Sequence, residues 1–344
     1  MEPSPSISVI IPTRNRAESL RITLECLASA DRAGIQAELI VVDNGSTDNT
    51  RQIAEAFQGR IPLRYVYEPA QGVYGKSHSL NRVLDAGGLG EIIAVLDDDM
   101  SPHQDWFQQL SALCKRWPDK DIFSGEIYTV WPSDDVPAWA RTRKFQELVL
   151  SSGELDEDVV PLRDGRWWGG NHFWFRSRVL EGNRRFPDMW LTEPAFQLDL
   201  AELGRTGVAD RKVRAGHRVQ ASLLDKKAAV DRARRFGREE AWLRLSPYRS
   251  KMKQARLLRE HPWKGRLYCL ARLLRARIRS LVFRFRSSQA AGFAKRLDAV
   301  SRSEYFLGLL RASASLDDYA LWRKKRSTKI APQAAGIASG AKQP

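Results

Sequence analysis

Ile92-Ile93-Ala94-Val95-Leu96-Asp97-Asp98-Asp99 is the most informative stretch of this chain: five apolar residues that run into three consecutive aspartates. A short apolar run of this kind, bounded by polar residues, is typical of a buried strand in a parallel sheet. Three adjacent carboxylates repel one another unless a cation or solvent relieves the repulsion. The stretch therefore predicts a strand followed either by a cation site or by a solvated turn that caps the next helix.

Three similar apolar runs precede this one, at residues 6–11, 38–42 and 63–67, and segments with helical spacing follow them. The expected helices are 16–30, a second one capped by Ser46 or Thr47 that runs to about Phe57, and 75–86. Alternating strands and helices predict an α/β fold with a mostly parallel sheet. Ligands of such sheets bind beyond the carboxyl ends of the strands, where this chain places polar residues: Pro12-Thr13-Arg14, Asp43, Glu68 and Asp97.

The runs SVIIPTRNR (8–16), VVDNGSTDNT (41–50) and AVLDDDM (94–100) resemble, in order and spacing, the motifs of family 2 glycosyltransferases. The resemblance covers roughly residues 6–220. It implies a GT-A fold and an inverting transfer of a sugar from a nucleotide-diphospho-sugar, of the UDP- or GDP-sugar type. It also implies a divalent metal, and carboxylate oxygens with diphosphate are the ligands that Mg²⁺ or Mn²⁺ prefers.

The resemblance carries roles to individual positions. Pro12 and Thr13, together with Arg14, would line the nucleotide pocket, and Asp43 would contact the base. Asp97 and Asp98 would face the ribose and sugar of the donor. The metal would be bound by Asp99, with Asp97 and His217 as further ligands. His217 lies in the segment 212–219, which resembles the family's strand that ends in a metal-site histidine.

Two further segments add residues to the predicted donor pocket. Gly72 and Gly75 are separated by only two residues, which excludes a P-loop before Lys76-Ser77. By resemblance, Lys76 would neutralise donor phosphate and Asn81 would shape the pocket; the alternative is a helix start with a solvated lysine. Asn171 lies in a segment that resembles the family's Gly-x-Asn segment near the sugar.

The general base is the uncertain part of the prediction. The family often supplies it from a Thr-Glu-Asp motif, usually by the Asp, but here the sequence is Thr192-Glu193-Pro194. Glu193 is the first candidate, Asp199 the second and Asp188 the third. The alternative is that this segment merely starts a helix, since proline suits the first helical turn. A non-catalytic nucleotide-sugar binder and a sugar nucleotidyltransferase then stay open as rival functions.

Charge divides the chain into two parts. The net charge is +15, but the first 210 residues contain 22 basic and 32 acidic residues, whereas the remainder contains 34 and 9. We expect a catalytic domain at 1–222, a helical Arg-rich extension at 223–326 and a disordered tail at 327–344. Leu267 to Arg286 fits an amphipathic helix, so residues 251–286 either meet an anionic membrane or pack on the catalytic domain. We expect no nucleic-acid partner.

Localisation follows from what the sequence lacks. It contains no signal peptide, no uncharged apolar stretch of about 20 residues and no Gln-x-x-Arg-Trp sequence. We therefore expect a non-processive enzyme in the cytoplasm, free or peripheral on the cytoplasmic face of the inner membrane. Its acceptor would be a glycan or lipid-linked glycan, in polysaccharide or glycolipid biosynthesis.

Overall fold

A computed structural model describes residues 5–69, 75–152, 155, 157–161, 170–189, 191–245, 258 and 261–312. The predicted disordered tail at 327–344 lies outside these residues, as do most residues of the segment 246–260. The chain forms one mixed sheet with helices on both faces, which confirms the expected α/β class.

The first half of the chain alternates strands and helices. Its elements are β1 (Ile7–Thr13), α1 (Ala17–Ser29), β2 (Ala37–Asp43), α2 (Thr50–Ala56), β3 (Leu63–Tyr67), α3 (Gly75–Ala86) and β4 (Ile92–Leu96). The four strands are parallel, in the order β3-β2-β1-β4. Their carboxyl ends therefore meet at one edge, as the sequence predicts. The apolar side chains of β1, β2 and β4 are buried on both faces, which explains why these strands are mostly apolar and do not alternate with polar residues.

The second half completes the sheet with strands of mixed direction. Its elements are β5 (Met100–Pro102), α4 (Trp106–Arg116), β6 (Ile122–Val130), α5 (Arg143–Phe145), a π-helical turn (Gln146–Leu150), β7 (Val159–Pro161), β8 (His172–Arg176), α6 (Thr192–Glu202) and β9 (Gly207–Arg218). Strand β8 runs antiparallel between β4 and β6, and β9 lies parallel to β6. The antiparallel pair β5–β9 places Met100 opposite His217, next to the three aspartates.

Three long helices follow the sheet: α7 (Lys226–Leu245), α8 (Pro262–Phe285) and α9 (Ala290–Ala312). Apolar side chains of α7 and α9, including Phe293 and Leu297, share a core cluster with Trp139, Phe145 and Val149 of the preceding domain. Helices α7 and α9 are therefore packed on the preceding domain. The two alternatives for residues 251–286 are not decided by these contacts. None of the helices within the described residues is both long and apolar enough to cross a membrane.

Two local predictions were wrong. Strand β1 continues through Pro12 to Thr13 and does not end before Pro12. Its pairing with β4 stops at Ile10, so the N–H that Pro12 lacks is not needed for a hydrogen bond to β4. Helix α2 begins only at Thr50, where Asp48 accepts hydrogen bonds from the Thr50 backbone and hydroxyl. Ser46 instead accepts a hydrogen bond from the backbone N–H of Asn15, tying together the loops that follow β2 and β1.

Candidate active site

The three aspartates form the tight turn between β4 and β5, and hydrogen bonds to its backbone fix this turn on several sides. The carbonyl of Asp98 accepts bonds from Thr23 Oγ1 at 2.8 Å and from Arg218 Nη2 at 3.0 Å. The backbone N–H of Asp97 donates to the Asn171 carbonyl at 3.2 Å. Groups from α1, β9 and the residue before β8 therefore hold the turn rigidly, which is what a preorganised binding site requires.

Asp98 points into the protein. One of its carboxylate oxygens accepts a hydrogen bond from Thr13 Oγ1 and the other from Arg16 Nη1, both at 2.7 Å. Burial raises the pKa of Asp98 to about 7, against the opposing charge of Arg16 and with the help of Asp99. A donor contact by Asp98 stays a prediction, and it would require one of these two internal bonds to be shared or broken.

Asp99 combines a held oxygen with an open one. Its Oδ2 lies 2.7 Å from Arg16 Nη2 and 3.5 Å from His217 Nε2, while Ser152 Oγ lies 3.2 Å from His217 Nδ1. Its Oδ1 is buried and has no hydrogen-bond partner among the described residues. Although burial opposes ionisation, His217 and Arg16 lower the pKa of Asp99 well below its usual range. Asp99 is therefore an ionised carboxylate with an unused ligand atom.

Asp97 belongs to a different group of charges. Lys76, at the start of α3, places its Nζ 2.5 Å from Asp97 Oδ1 and also forms an ion pair with Glu193, at the start of α6. Burial alone would lower the pKa of Lys76, but the two carboxylates raise it above its ordinary value. The side chain of Lys76 is therefore not freely solvated, which was the alternative that the sequence allowed. The sheet edge thus holds two adjacent charge groups, Asp97–Lys76–Glu193 and Arg16–Asp99–His217.

Glu193 is buried, whereas the other two candidates for the general base, Asp199 and Asp188, are half-buried. Its side chain is only 5% exposed, and burial raises its pKa, with Lys76 opposing and Asp97 adding to the rise. Gly170 packs directly on it: a Cβ at Gly170 would lie 3.1 Å from the Glu193 Cβ. Asp199 lies six residues further along α6, about 9 Å along the axis and on another face, so the geometry favours Glu193. Asp188 accepts a hydrogen bond from Ser77 Oγ at 3.1 Å.

The loop after β2 forms the far end of this edge. Asp43 is buried, and its two carboxylate oxygens accept hydrogen bonds from the Ser46 backbone at 2.7 Å and the Tyr65 hydroxyl at 2.6 Å. Asn44 lies so close to Gly75 that a Cβ there would approach the Asn44 amide nitrogen to 1.9 Å. Glycine at position 75 therefore allows the start of α3, with Lys76, to approach the carboxyl end of β2.

Three predicted donor-pocket residues are placed differently from the rest. Arg14 is exposed, and Arg16, two residues later, makes the contacts to the aspartates instead. The side-chain amide of Asn81 bonds to the backbone of Phe186 through both its nitrogen and its oxygen, so this side chain supports a wall and its donor contact stays a prediction. Asn171 is buried with its Oδ1 lacking a hydrogen-bond partner among the described residues, which leaves an acceptor available for a ligand.

The donor atoms at this edge fit a divalent cation that is shared with a substrate. Within the described part of the chain, no group of three or more His, Cys, Asp or Glu side chains forms a complete cage. Asp99 Oδ1 and the adjacent His217 offer a partial ligand set of the kind that Mg²⁺ or Mn²⁺ completes with phosphate oxygens and water. Asp97 is paired with Lys76, so its role as a ligand stays a prediction.

Several residues of this edge were missed in the sequence. Arg16 binds the side chains of Asp98 and Asp99, and Arg218 binds the backbone carbonyl of Asp98. Arg16 ends the SVIIPTRNR run but was assigned no role, and nothing in the sequence distinguishes Arg218 among 56 basic residues. Arg232 of α7 is also close: burial and Arg235 lower its pKa, while the charges of Asp99 and Asp97 oppose that shift. A helix assigned to the separate extension therefore contributes positive charge near the site.

A buried histidine beneath the site gives a pH-dependent contribution to stability. His172 Nε2 accepts a hydrogen bond from Trp106 Nε1 at 2.8 Å, and burial lowers the pKa of His172 from 6.5 to about 3. Above pH 6.5 the folded and unfolded states are both neutral here, so there is no effect. Below it only the unfolded state gains a proton, and stability falls by up to about 1.4 kcal/mol per pH unit.

We expect the free energy of unfolding to fall by about 1.6 kcal/mol more in the wild type than in His172→Gln between pH 6.5 and 5. Glutamine keeps an acceptor for Trp106 but does not titrate. Urea denaturation at several pH values measures this difference. Parallel curves for the wild type and His172→Gln would contradict the assignment.

Comparison with known proteins identifies the family. The family model described as "Glycosyl transferase family 2" matches residues 8–180, half of the chain, and this range includes β1 to β4 with the aspartate turn. The chain belongs to glycosyl transferase family 2. The α/β sheet and the order of its motifs agree with this membership, which confirms the resemblance seen in the sequence.

Curated relatives of this family 2 member carry related names. "Glycosyltransferase AglE" of Haloferax volcanii is 37% identical over 196 residues, which cover 52% of this chain and 62% of AglE. "Chondroitin synthase" of Escherichia coli is 36% identical over 107 residues, or 31% of this chain and 15% of that protein. The chain thus spans less than two thirds of the length of these relatives.

A solved structure, "Mannosyltransferase PcManGT from Pyrobaculum calidifontis in complex with GDP-Man and Mn2+", is 18% identical to this family 2 chain. It aligns over 95% of this chain and 81% of its own, with a TM-score of 0.49.

Proposed function

We propose that this chain transfers a sugar from a nucleotide-diphospho-sugar to an acceptor hydroxyl, with inversion at C1 and without processive extension. The observation that carries the proposal is that the buried Glu193 lies beside Lys76 and Asp97, at the same edge of the sheet as Asp99 and His217. A proton acceptor and a site for diphosphate are the two parts that such a transfer needs. The residues that we assign to these two roles lie together at the edge formed by the carboxyl ends of the strands, where α/β sheets bind ligands.

The proposed donor site lies between the loops after β1, β2 and β4. Thr13 and Asp43 would line the nucleoside pocket, while Lys76 and Arg16 would supply positive charge for the diphosphate. Asp99 and His217 would hold Mg²⁺ or Mn²⁺, which would neutralise the charge on the departing nucleoside diphosphate. Because the protein supplies only part of the ligand set, we expect tight binding of the metal to require the diphosphate.

The acceptor side of the reaction falls to Glu193. Its carboxylate takes the proton of the acceptor hydroxyl as the hydroxyl oxygen forms its bond to C1, and the bond from C1 to the phosphate oxygen breaks on the opposite face. In the free protein Lys76 opposes the rise in the pKa of Glu193. A diphosphate that competes for Lys76 would weaken this opposition, and a base with a pKa nearer neutrality is the more effective one.

Product analysis tests the proposed reaction. The full chain would be incubated with UDP- and GDP-sugars, Mn²⁺ and candidate glycan or lipid-linked acceptors. We expect a nucleoside diphosphate as the released product and inverted configuration in the new glycosidic bond. In a parallel incubation with a nucleoside triphosphate and a sugar 1-phosphate, formation of a nucleotide-sugar with release of pyrophosphate would identify a nucleotidyltransferase instead. Binding of the donor with neither transfer nor slow hydrolysis would identify a non-catalytic binder.

A further inference from the structure

Helix α8 carries two apolar faces, and among the described residues only one of them is covered. Cys269, Leu273 and Ala276 are 1–5% exposed, and the first two share a core cluster with residues of α7 and α9. A second set of apolar side chains is 46–81% exposed. It consists of Leu267, Leu270, Leu274, Ile278, Leu281, Val282 and Phe285, and we call it the outer stripe.

The outer stripe is continuous. Its members follow the spacing of three and four residues that keeps side chains on one side of a helix, within an arc of about 120°. That arc lies roughly opposite the buried Cys269 and Ala276, so packing against α9 cannot cover it. Trp263, 65% exposed, extends the stripe by one turn. From Leu267 to Phe285 it is about 27 Å long at the helical rise per residue.

Basic residues border the outer stripe on both sides. Arg266, Arg277 and Arg284 flank one edge by their helical angles, and Arg272, Arg275 and Arg279 flank the other. All six are exposed. The 24 residues of α8 contain no Asp or Glu at all. The exposed side of the helix is therefore an apolar stripe with exclusively positive margins.

We propose that the outer stripe docks in the plane of an anionic membrane surface. An exposed apolar strip of this length is unfavourable in water, and lipid acyl chains would cover it. Arginine side chains can bury their aliphatic stems at the boundary and extend the guanidinium groups to lipid phosphates. The negative surface potential of such a membrane then attracts each basic residue at the margins.

Charge selects this occupant over the other two candidates. A second copy of α8 placed on the stripe would bring arginine margins against arginine margins, with no carboxylate on either helix to pair them. A nucleic acid would satisfy the arginines but would leave the leucines in water. Only a surface with both anionic groups and apolar depth matches both features. This inference is independent of the proposed reaction. If both are correct, a docked enzyme would act preferentially on acceptors that reside at the membrane.

Vesicle co-sedimentation of the full chain tests the proposal. We expect binding to phosphatidylcholine vesicles that contain phosphatidylglycerol, and binding at least about tenfold weaker to pure phosphatidylcholine because the electrostatic attraction is lost. The double variant Leu274→Ser/Ile278→Ser should weaken binding to the anionic vesicles by about tenfold or more, since it removes two apolar side chains that would be buried among the lipid acyl chains. Both positions are more than half exposed, so the fold should persist, as circular dichroism would verify.

Matched controls separate the stripe from general surface effects. Leu203→Ser removes an equally exposed leucine from the end of α6 and should leave vesicle binding unchanged. Arg275→Gln/Arg279→Gln should weaken binding to anionic vesicles, whereas Arg21→Gln/Arg51→Gln, on α1 and α2, should not.

Three outcomes would overturn the proposal. The first is a wild-type chain that does not bind anionic vesicles. The second is binding that Leu274→Ser/Ile278→Ser leaves unchanged. The third is a wild-type dimer in sedimentation velocity that this double variant converts to a monomer, because the stripe would then be covered by a second copy.

Discussion

Glu193→Gln is expected to lower kcat by about 10² to 10⁴-fold while the affinity for the nucleotide-sugar stays within a few-fold of the wild type. Glutamine has the size of glutamate, but its amide cannot take the proton from the acceptor hydroxyl. Glu193 is 5% exposed in its side chain and lies at the first turn of α6, against Gly170 and Lys76, so the substitution preserves packing. Initial-rate kinetics with a saturating donor, together with calorimetry of donor binding, would separate the loss of kcat from any loss of affinity.

The two rival carboxylates provide the controls for this experiment. Asp199→Asn and Asp188→Asn make the same change of charge on α6 and on the segment before it, and we expect each to retain turnover within about tenfold. Asp199 is about two helical turns from Glu193 and Asp188 accepts a hydrogen bond from Ser77. If Asp199→Asn lost turnover while Glu193→Gln kept it, the assignment of the base would be reversed.

Asp99→Ala is expected to abolish metal-dependent binding of the nucleoside diphosphate, with Kd rising by at least about 100-fold in the presence of Mn²⁺, which corresponds to about 2.7 kcal/mol. The substitution removes the only carboxylate of the turn with a buried oxygen that lacks a hydrogen-bond partner among the described residues. It also leaves Arg16 and His217 without this partner, so folding would be checked by thermal denaturation. Isothermal titration calorimetry with UDP and GDP measures the change.

The decisive comparison for Asp99 is made with and without metal. In EDTA, the wild type and Asp99→Ala should bind the nucleoside diphosphate with the same weak affinity, because the variant removes a metal ligand and not a phosphate contact. Asp119→Ala, at an exposed aspartate between α4 and β6, is the surface control and should behave as the wild type in both conditions. An Asp99→Ala chain that kept its response to Mn²⁺ would rule out Asp99 as a ligand.

The fold class, the family and the edge of the sheet at which the polar residues meet could all be predicted from the amino-acid sequence. Short, mostly apolar runs are typical of strands buried on both faces of a parallel sheet, so β1, β2 and β4 were predictable from the local sequence pattern. Their polar ends follow directly, because each motif residue lies at or immediately after the end of its strand. For this reason Thr13, Asp43 and the three aspartates could be assigned to one edge before the fold was known.

Which charges share a group within that edge became clear only from the folded chain. Arg16 meets Asp98 and Asp99, and Lys76 meets Glu193, across 82 to 117 positions of chain, and no local periodicity encodes such contacts. The same holds for α7 to α9: the sequence showed that α8 is amphipathic, but α7 and α9 cover one of its apolar faces and leave the other exposed. Pairing and exposure depend on the positions of distant elements, and those positions are fixed by packing of the whole chain.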